Sequence, residues 1–269
     1  MPSVEYELGD LAHLLGRRVG VKELQETIPM LGVDLESVDE DKLVMDVFPN
    51  RPDMLNIEGF ARALKGFMGV EVGFKEYEVG ESNVTLIVDP SVDGVRPAVT
   101  AGVVLGVDMD DYTVKSIMDM QEKLHLTHGR NRMKVAIGVH DLDKVKQPFT
   151  YKAVGPDEIS FTPLDMDRKL TLRQILEDHP KGRDYAWTLE GKKKYPVFVD
   201  RDNQVLSFPP IINGELTRIT ENTRNLFLDL TGNDQTAVEK ALNIIACALA
   251  DRGGRIQTVE VKKKKSPLK

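Results

Sequence analysis

Polar side chains that could bind a small molecule or assist hydrolysis are concentrated in three segments of the second half of this 269-residue sequence. The first is the pair His140 and Asp141, which directly follows the apolar run 135–139. A strand holds polar groups at its end rigidly and leaves them exposed, so this pair could line a pocket. A turn in which Asp141 caps the backbone explains the same residues equally well, and the local sequence leaves both interpretations open.

The second segment, 206–217, mixes prolines with apolar and polar side chains. Pro209 and Pro210 fix two φ angles and remove two backbone donors, so this stretch cannot be an ordinary central strand. Ser207 and Asn213 supply polar groups on either side of the prolines. A rigid turn that combines apolar anchors with a few polar groups is typical of a small-molecule pocket.

The third segment is an apolar strand, predicted at 226–230, with two polar residues on one face. Asp229 and Thr231 alternate with leucines, so both point to the same side of the strand and its continuation. Polar side chains among apolar neighbours need hydrogen-bond partners. Those partners are either a ligand or a structural network, and the sequence allows both.

Motifs of the common catalytic classes are absent from the sequence. It has no phosphate-binding glycine loop, no nucleophile elbow and no helix with paired metal-binding histidines. The single cysteine, Cys247, cannot form an internal disulfide, and its apolar helical surroundings favour a small buried hydrophobe. The basic residues Arg130, Arg132 and Lys134 form either a solvated face or a contact for a phosphate backbone.

The distribution of charge favours two modules. The 36 basic and 43 acidic side chains give a formal net charge of −7. Residues 1–80 hold 8 basic and 16 acidic residues, whereas residues 81–269 hold 28 and 27. This asymmetry indicates an acidic module followed by a balanced one, and it excludes a basic nucleic-acid-binding surface over the whole chain. The sequence has no stretch apolar enough to span a membrane and begins unlike a signal peptide, so we expect a cytoplasmic protein.

The hydrophobic pattern predicts an α+β fold, because strands and helices are interspersed without a regular strand–helix repeat. The main predicted helices are at 8–15, 21–28, 54–68, 111–125, 170–178 and 236–251. Asp53 is predicted to cap the helix at 54–68. Met118 is predicted to be buried, and a single last strand is predicted at 256–261.

Four strings of residues occur in an order that is specific to one family. They are FPNRPD with IEGFAR at 48–62, VAIGVHD at 135–141, FPPIIN at 208–213 and LDLTG at 228–232. Together they resemble the N-terminal part of the beta subunit of phenylalanyl-tRNA synthetase in its archaeal/eukaryal form, over residues 1–261. The resemblance implies a small helical N-terminal module at 1–82, a larger mixed-sheet editing and tRNA-binding domain at 83–262, and a basic tail at 263–269.

The family's editing domain hydrolyses tyrosine that is wrongly esterified to tRNA(Phe). By similarity, we expect catalytic roles for three residues, Asn213, Ser207 and Asp229. We expect the substrate to be bound by Phe198, Pro210, Thr231, His140 and Asp141. Backbone N–H groups around 213–214 could stabilise the oxyanion. An activated ester requires neither a metal nor a covalent nucleophile, so no general base is assigned, and the terminal ribose hydroxyl of the substrate could assist.

Nothing in the sequence resembles the family's ATP-binding motifs. ATP and magnesium belong to the synthetic part of the family, so we expect no cofactor in this chain. The expected partners are tRNA(Phe) and the synthetase alpha subunit, the latter in an α2β2 complex through a C-terminal part that this sequence lacks. We expect a piece of a longer subunit, with a free-standing editing paralogue as the alternative. The competing function is a non-catalytic module that docks tRNA or a partner subunit.

Overall fold

The first part of the chain is a three-stranded antiparallel sheet with three helices. The computed structural model describes residues 2–264. The elements of this part are β1 (Ser3–Glu7), α1 (Leu8–Leu15), α2 (Val21–Thr27), β2 (Asp34–Val38), β3 (Lys42–Asp46) and α3 (Ile57–Phe67). β3 lies between the other two strands. The module predicted as mainly helical therefore also contains a small sheet.

The helix predicted at 54–68 begins later than the sequence suggests. Pro52–Leu55 forms a 3-10 turn, and α3 begins only after Asn56, whose φ of −128° is extended. The prediction that Asp53 caps the helix is wrong, because Asn56 Oδ1 accepts the Gly59 N–H at 2.7 Å. Gly59 is needed there, since a Cβ atom would lie 1.9 Å from the Asp53 carbonyl oxygen.

The second part of the chain consists of two stacked sheets, a short hairpin and four helices. Its strands are β4 (Val79–Gly80), β5 (Thr85–Val88), β6 (Ala98–Leu105), β7 (Val135–Asp141), β8 (Phe149–Val154), β9 (Ser160–Phe161), β10 (Leu170–Thr171), β11 (Tyr195–Val199), β12 (Val205–Phe208), β13 (Ile212–Asn213), β14 (Leu226–Gly232), β15 (Arg255–Thr258) and β16 (Glu260–Lys263). Its helices are α4 (Asp111–Leu126), α5 (Leu172–Asp178), α6 (Pro180–Tyr185) and α7 (Gln235–Asp251). The α+β class is confirmed.

The two sheets stack so that each buries both faces over part of its area. One sheet has the order β4–β15–β6–β14–β7, and the other has the order β13–β12–β11–β8–β5–β16. The leucines of β14 belong to a core with α4 and α7, whereas Phe227 on the same strand belongs to the core between the sheets. The far side of the six-stranded sheet packs on α5 and α6. Because β7 and β13 are both edge strands, a cleft can open between them.

A buried cluster of charged side chains joins the two parts of the chain. Arg252, just after α7, is 6% exposed. Its guanidinium donates to both carboxylate oxygens of Asp10 (2.6 and 2.7 Å) and to Glu58 (2.7 Å). Burial raises the pKa of Glu58, which also accepts a hydrogen bond from Ser116 of α4 at 2.9 Å. Apolar side chains of β1, β3 and α3 share one core with α4 and α7. The domain boundary at residue 82 stays a prediction.

Three local predictions are wrong. Met118 is 59% exposed, because it lies on the side of α4 that faces the cleft rather than the core. Cys247 is only partly buried on α7. The last strand is two strands, because β15 pairs with β6 of one sheet and β16 pairs with β5 of the other. Among residues 2–264, no helix has the length and hydropathy needed to cross a membrane.

We expect Arg252→Ala to lower the free energy of unfolding by about 3–5 kcal/mol, because Asp10 and Glu58 would remain buried without a cationic partner. Urea denaturation of the whole chain measures this change. The matched control is Arg173→Ala, which removes an exposed ion pair with Asp157 and should leave the midpoint unchanged. Equal midpoints for the two variants would show that the cluster does not hold the parts together.

Candidate active site

A cleft of about 420 Å³ lies between the edge of β7, helix α4 and the segment that runs from β12 to β13. Pro209 and Pro210 form part of its wall, and the peptide bond between them is cis. Four of the residues predicted for the site line the cleft, namely Ser207, Pro210, Asn213 and Asp229. The sequence therefore identifies the segment that builds one wall and the strand that supplies its carboxylate.

Asp229 is the centre of a buried hydrogen-bond network. It is 2% exposed, and its Oδ2 lies 2.6 Å from His140 Nε2 and accepts the Ser207 hydroxyl at 3.0 Å. Within residues 2–264, no hydrogen bond is found for the other oxygen, Oδ1. The two hydrogen bonds to Oδ2 orient the carboxylate. Because Asp229 lines the cleft, Oδ1 is free to accept a hydrogen bond from a ligand.

The orientation of His140 follows from its two partners. A carboxylate only accepts hydrogen bonds, so the ring donates from Nε2 to Asp229. In the neutral ring Nδ1 is then an acceptor, and it lies 2.8 Å from the hydroxyl of Thr217. His140 and Thr217 are both almost fully buried. The chain Thr217–His140–Asp229 thus fixes the carboxylate from the protein side. Thr217 ends the segment 206–217 predicted for the pocket, but the sequence does not predict its contact with His140, 77 residues away.

The close packing around this network requires a glycine on the neighbouring strand. Gly138 lies directly opposite Asp229 in the pairing of β7 with β14. A Cβ atom at Gly138 would lie 2.6 Å from both Asp229 Oδ2 and His140 Nε2. Residues directly opposite each other in an antiparallel pair share a face, so any larger side chain here would push the carboxylate and the imidazole apart.

Besides the fully buried His140, three residues predicted for the site do not line the cleft. Phe198 is fully buried between the sheets, where its ring stacks on Tyr151 at 4.6 Å. Thr231 shares a face with Asp229 as predicted, but its hydroxyl accepts from Arg96 Nε at 2.8 Å. Asp141 accepts the Thr223 hydroxyl at 2.9 Å and caps a 3-10 turn, which is the alternative that the sequence left open.

From the sequence, we expect free backbone N–H groups around 213–214, but the N–H of Gly214 is not free. The Gly214 N–H donates to the Leu206 carbonyl at 2.7 Å, because the chain turns back along β12 there. A Cβ atom at Gly214 would lie 2.9 Å from the Val205 carbonyl oxygen, which shows how tightly this turn is packed. The Asn213 side chain remains available, since among the described residues it makes a single, long hydrogen bond of 3.5 Å from Nδ2 to the Val139 carbonyl.

Helix α4 covers part of the unpaired edge of β7, a feature that sequence reasoning missed. The His125 Nε2 accepts the Ile137 N–H at 2.8 Å, and Gln121 donates to the Ile137 carbonyl at 3.2 Å. Burial lowers the pKa of His125 to about 4, so the ring is neutral near pH 7 and can act as this acceptor. A period of four between Gln121 and His125 places both on one helix face, but the sequence does not reveal that this face meets a strand edge.

Arg132 anchors the proline-containing wall of the cleft. Its guanidinium donates to the carbonyls of Pro210 (3.2 Å) and Ile211 (2.8 Å) and to Glu122 (3.0 Å). The group also lies over the ring of Tyr185 at 4.2 Å. Arg132 is 7% exposed, so its role is in holding the wall, and the phosphate contact considered from the sequence does not apply to it.

The chemistry available in the cleft is hydrogen bonding to a small organic ligand. Among the described residues, no group of three or more His, Cys, Asp or Glu side chains could hold a metal ion. The acceptor Asp229 Oδ1 and the donor Asn213 Nδ2 belong to a cleft that also has apolar residues in its lining, such as Ile137, Val139 and Ile211. Such an arrangement suits a ligand that has an aromatic or aliphatic body and a polar end.

We expect Gly138→Ala to lower the free energy of unfolding by about 1–3 kcal/mol, because the new methyl group overlaps the Asp229–His140 contact. Thermal denaturation checks the change. Gly94→Ala is the matched control, since no atom lies within 4 Å of a Cβ atom there, and its melting temperature should not fall. If both variants melted like the parent, the network would be looser than its distances indicate.

Comparison with known proteins agrees with this architecture. The B3/4 domain family matches residues 109–248, which include α4, β7, β12, β13 and β14. The phenylalanine–tRNA ligase beta subunit of Archaeoglobus fulgidus is 50% identical over 261 residues, which cover 97% of this chain and 47% of that protein. The corresponding subunit of Methanocaldococcus jannaschii is 47% identical, with 97% and 48% covered. The chain thus spans about half the length of these relatives.

A solved structure shares the fold over nearly the whole chain. It is an N-terminal fragment of the phenylalanyl-tRNA synthetase beta subunit from Pyrococcus horikoshii, with a TM-score of 0.94 and 40% sequence identity. The match covers 98% of this chain and 77% of that fragment. This chain therefore belongs to the phenylalanyl-tRNA synthetase beta-subunit family, corresponds to its N-terminal part and carries a B3/4 domain.

Proposed function

We propose that this chain carries an editing site that hydrolyses the ester of tyrosine wrongly attached to tRNA(Phe). The observation that supports it most is the carboxylate of Asp229, which is oriented through Oδ2 by His140 and Ser207 and has its Oδ1 free at the cleft. A phenolic hydroxyl is a donor that such an oxygen accepts, and phenylalanine has no group to put there.

The proposed site selects tyrosine by the hydrogen bond that phenylalanine cannot form. The two amino acids differ by one hydroxyl group, which an apolar synthetic pocket rejects incompletely. A site that must hydrogen-bond a hydroxyl rejects the analogue without it by up to ~10⁴–10⁵-fold, because a buried polar group then stays unpaired. Asp229 is 2% exposed, so its free oxygen lies in the environment where this penalty is large.

The roles of the proposed catalytic residues follow from their partners. The Ser207 hydroxyl donates a hydrogen bond to Asp229 and is assigned to orienting the carboxylate rather than to nucleophilic attack. Asn213 presents a side-chain donor at the edge of β7 and is assigned to the reacting ester. A water molecule is the nucleophile, and the terminal ribose hydroxyl of the substrate is the candidate for assisting it.

We expect Asp229→Asn to reduce the ratio of hydrolysis rates for tyrosyl over phenylalanyl tRNA esters by about tenfold. The variant keeps the shape of the side chain, but its amide oxygen stays with His140 and Ser207, so an NH2 group replaces the charged acceptor Oδ1. The phenolic oxygen can then only accept from this NH2 group, and such a neutral hydrogen bond is about 1–1.5 kcal/mol weaker than a charge-assisted one. Single-turnover deacylation of both esters on the same tRNA(Phe) measures the ratio. Asp229→Ala is less suitable, because it also removes the partner of His140 and of Ser207.

The control for this measurement is Asp157→Asn, which makes the same chemical change at an exposed carboxylate paired with Arg173. It should keep the parental ratio. An unchanged ratio in Asp229→Asn with a lowered melting temperature would mean that Asp229 is structural. Binding of tRNA by a parent protein that hydrolyses neither ester would favour the non-catalytic docking module.

The proposed partners are those of the family. They are tRNA(Phe) and the synthetase alpha subunit, the latter in an α2β2 complex through the part of the subunit that this chain does not span. ATP and magnesium belong to that synthetic part.

A cytoplasmic location fits a role in translation and is part of the same proposal. The 83–262 domain is proposed as the unit that carries the editing site. Of the predicted basic tail at 263–269, Lys263 belongs to β16, and residues 265–269 lie outside the described residues.

Several apolar side chains of the first module are exposed and could be covered by the rest of the subunit. They lie mostly at the end of α3 and beyond it, and they are Met30 (71% exposed), Phe67 (47%), Val70 (46%), Val72 (76%) and Phe74 (91%). Contiguous exposed apolar residues are typical of interaction surfaces.

We expect the fluorescence of a hydrophobic dye bound to this chain to fall when the C-terminal half of the Archaeoglobus fulgidus beta subunit is added. The reason is that the added half would bury the same apolar side chains. Phe74→Ser in this chain should reduce the initial dye signal and serves as the matched control. If the dye fluorescence of the parent did not change on addition of the C-terminal half, these apolar side chains would not be the surface that binds it.

A further inference from the structure

The unpaired edge of β7 presents backbone groups to the cleft. β7 is the last strand of its sheet, so only one of its edges pairs with another strand. In an antiparallel pair, alternate residues direct their N–H and C=O groups toward the partner strand, and the others direct theirs away. Ile137 is of the second kind, because its N–H and its carbonyl are bound by His125 and Gln121 of α4.

Val139 lies two residues further along and therefore points its backbone to the same edge. Its carbonyl accepts from Asn213 Nδ2 at 3.5 Å, which confirms that direction. For the Val139 N–H, no acceptor outside the sheet is found within the described part of the chain. Val139 is 3% exposed and lines the cleft. A buried N–H without a protein acceptor costs free energy unless a ligand or a water molecule accepts from it.

Two other backbone donors near the cleft are already used. The Ile137 N–H donates to His125, and the Gly214 N–H donates to the Leu206 carbonyl. Helix α4 thus covers β7 up to Ile137 and leaves the strand edge uncovered at Val139. This is the place where Asn213 reaches the strand from the opposite wall.

We propose that the Val139 N–H is the donor that stabilises the oxyanion in ester hydrolysis; this inference rests on the proposed editing function. The water oxygen forms a bond to the ester carbonyl carbon, and the π electron pair moves to the carbonyl oxygen, which the Val139 N–H then holds. The tetrahedral intermediate reforms the carbonyl and breaks the bond to the ribose oxygen. That oxygen takes a proton that derives from the water, so the products are tyrosine and the free ribose hydroxyl.

The position of Val139 relative to Asp229 suits a bound tyrosyl group. Asp229 lies opposite Gly138, the residue before Val139, on the neighbouring strand. Asp229 and Val139 both line the cleft, so a tyrosyl group that places its hydroxyl at Asp229 has its ester in the same cleft as the Val139 backbone. Asn213 Nδ2 lies beside the Val139 backbone and can supply a second hydrogen bond to the same oxygen. Donors aimed at the oxygen where charge develops are the usual solution for acyl transfer.

The direct test replaces one backbone N–H by oxygen. Incorporation of the α-hydroxy acid analogue of valine at position 139 changes the amide to an ester, which removes this donor and makes the Gly138 carbonyl a weaker acceptor. We expect kcat for the tyrosyl ester to fall about 10²–10³-fold with KM nearly unchanged, as for loss of one oxyanion donor elsewhere. The melting temperature should fall only slightly, because within residues 2–264 no acceptor is found for this N–H.

The matched control places lactic acid at Ala153 on β8. The Ala153 N–H donates to the Ser91 hydroxyl at 2.9 Å and lies outside the cleft. This change should lower the melting temperature but leave kcat as in the parent. If the parent is active and the variant at Val139 keeps the parental kcat, the inference is overturned while the editing function stands.

A second measurement does not depend on turnover. The aminophosphonate analogue of tyrosine carries tetrahedral anionic oxygens at the position of the reacting carbonyl. Added to ¹⁵N-labelled protein, it should shift the Val139 amide proton downfield, whereas the Ala153 amide signal should not move. Absence of binding, or a Val139 signal that is unchanged at saturation, overturns the inference. A shift at Val139 in a protein that hydrolyses neither ester counts against the editing function alone.

Discussion

The hydrogen bonds to Asp229 Oδ2 determine what this site can do. A buried carboxylate is costly unless donors surround it, and here His140 and Ser207 both direct donors at the same oxygen. This leaves Oδ1 as an acceptor in a fixed position at the cleft, and Thr217 fixes the imidazole in turn. The absence of a side chain at Gly138 makes room for this network. Discrimination between two amino acids that differ by one hydroxyl requires this kind of rigidity, because a mobile carboxylate would find other partners.

The rest of the fold keeps the walls of the cleft at a fixed separation. One wall is the edge of β7, which α4 covers through Gln121 and His125. The other wall is the proline turn, and Arg132 holds it by donating hydrogen bonds to the carbonyls of Pro210 and Ile211. Helix α4 is in turn bound to the first module through Ser116, Glu58 and Arg252. Contacts of the first module therefore reach the helix that lines the cleft, although the two regions are far apart in sequence.

Sequence patterns predict those parts of the site that depend on local geometry. The period of two in β14 places Asp229 and Thr231 on one face, and the two prolines identify a rigid wall next to Ser207 and Asn213. Sequence patterns do not predict which side chains form hydrogen bonds with residues far away in the chain. Thr231 is bound by Arg96, 135 residues away, so it does not line the cleft. Met118 fits the apolar pattern of a core helix but is exposed at the cleft, and the sequence does not show which face of α4 meets a strand edge.

The backbone conformation of the segment before β7 is another feature that sequence patterns do not predict. Arg130, Asn131 and Arg132 have φ angles of 47°, 53° and 67°, in the left-handed region that non-glycine residues seldom adopt. No sequence rule predicts three such residues in succession. The result is that Arg132 turns inward to the proline wall while Arg130 stays exposed. By contrast, the four strings that indicate the family lie at places where local geometry is constrained, such as Gly59 next to the Asp53 carbonyl.

Asp229 is proposed to accept a hydrogen bond from the phenolic hydroxyl of a tyrosyl group. The most direct test is a crystal structure of this chain with a non-hydrolysable amide analogue of tyrosyl-adenosine. We expect the phenolic oxygen at about 2.5–2.7 Å from Asp229 Oδ1, with His140 and Ser207 still bound to Oδ2. An analogue whose ring lies outside the cleft, or whose hydroxyl is bound elsewhere while Oδ1 has no ligand, would contradict it.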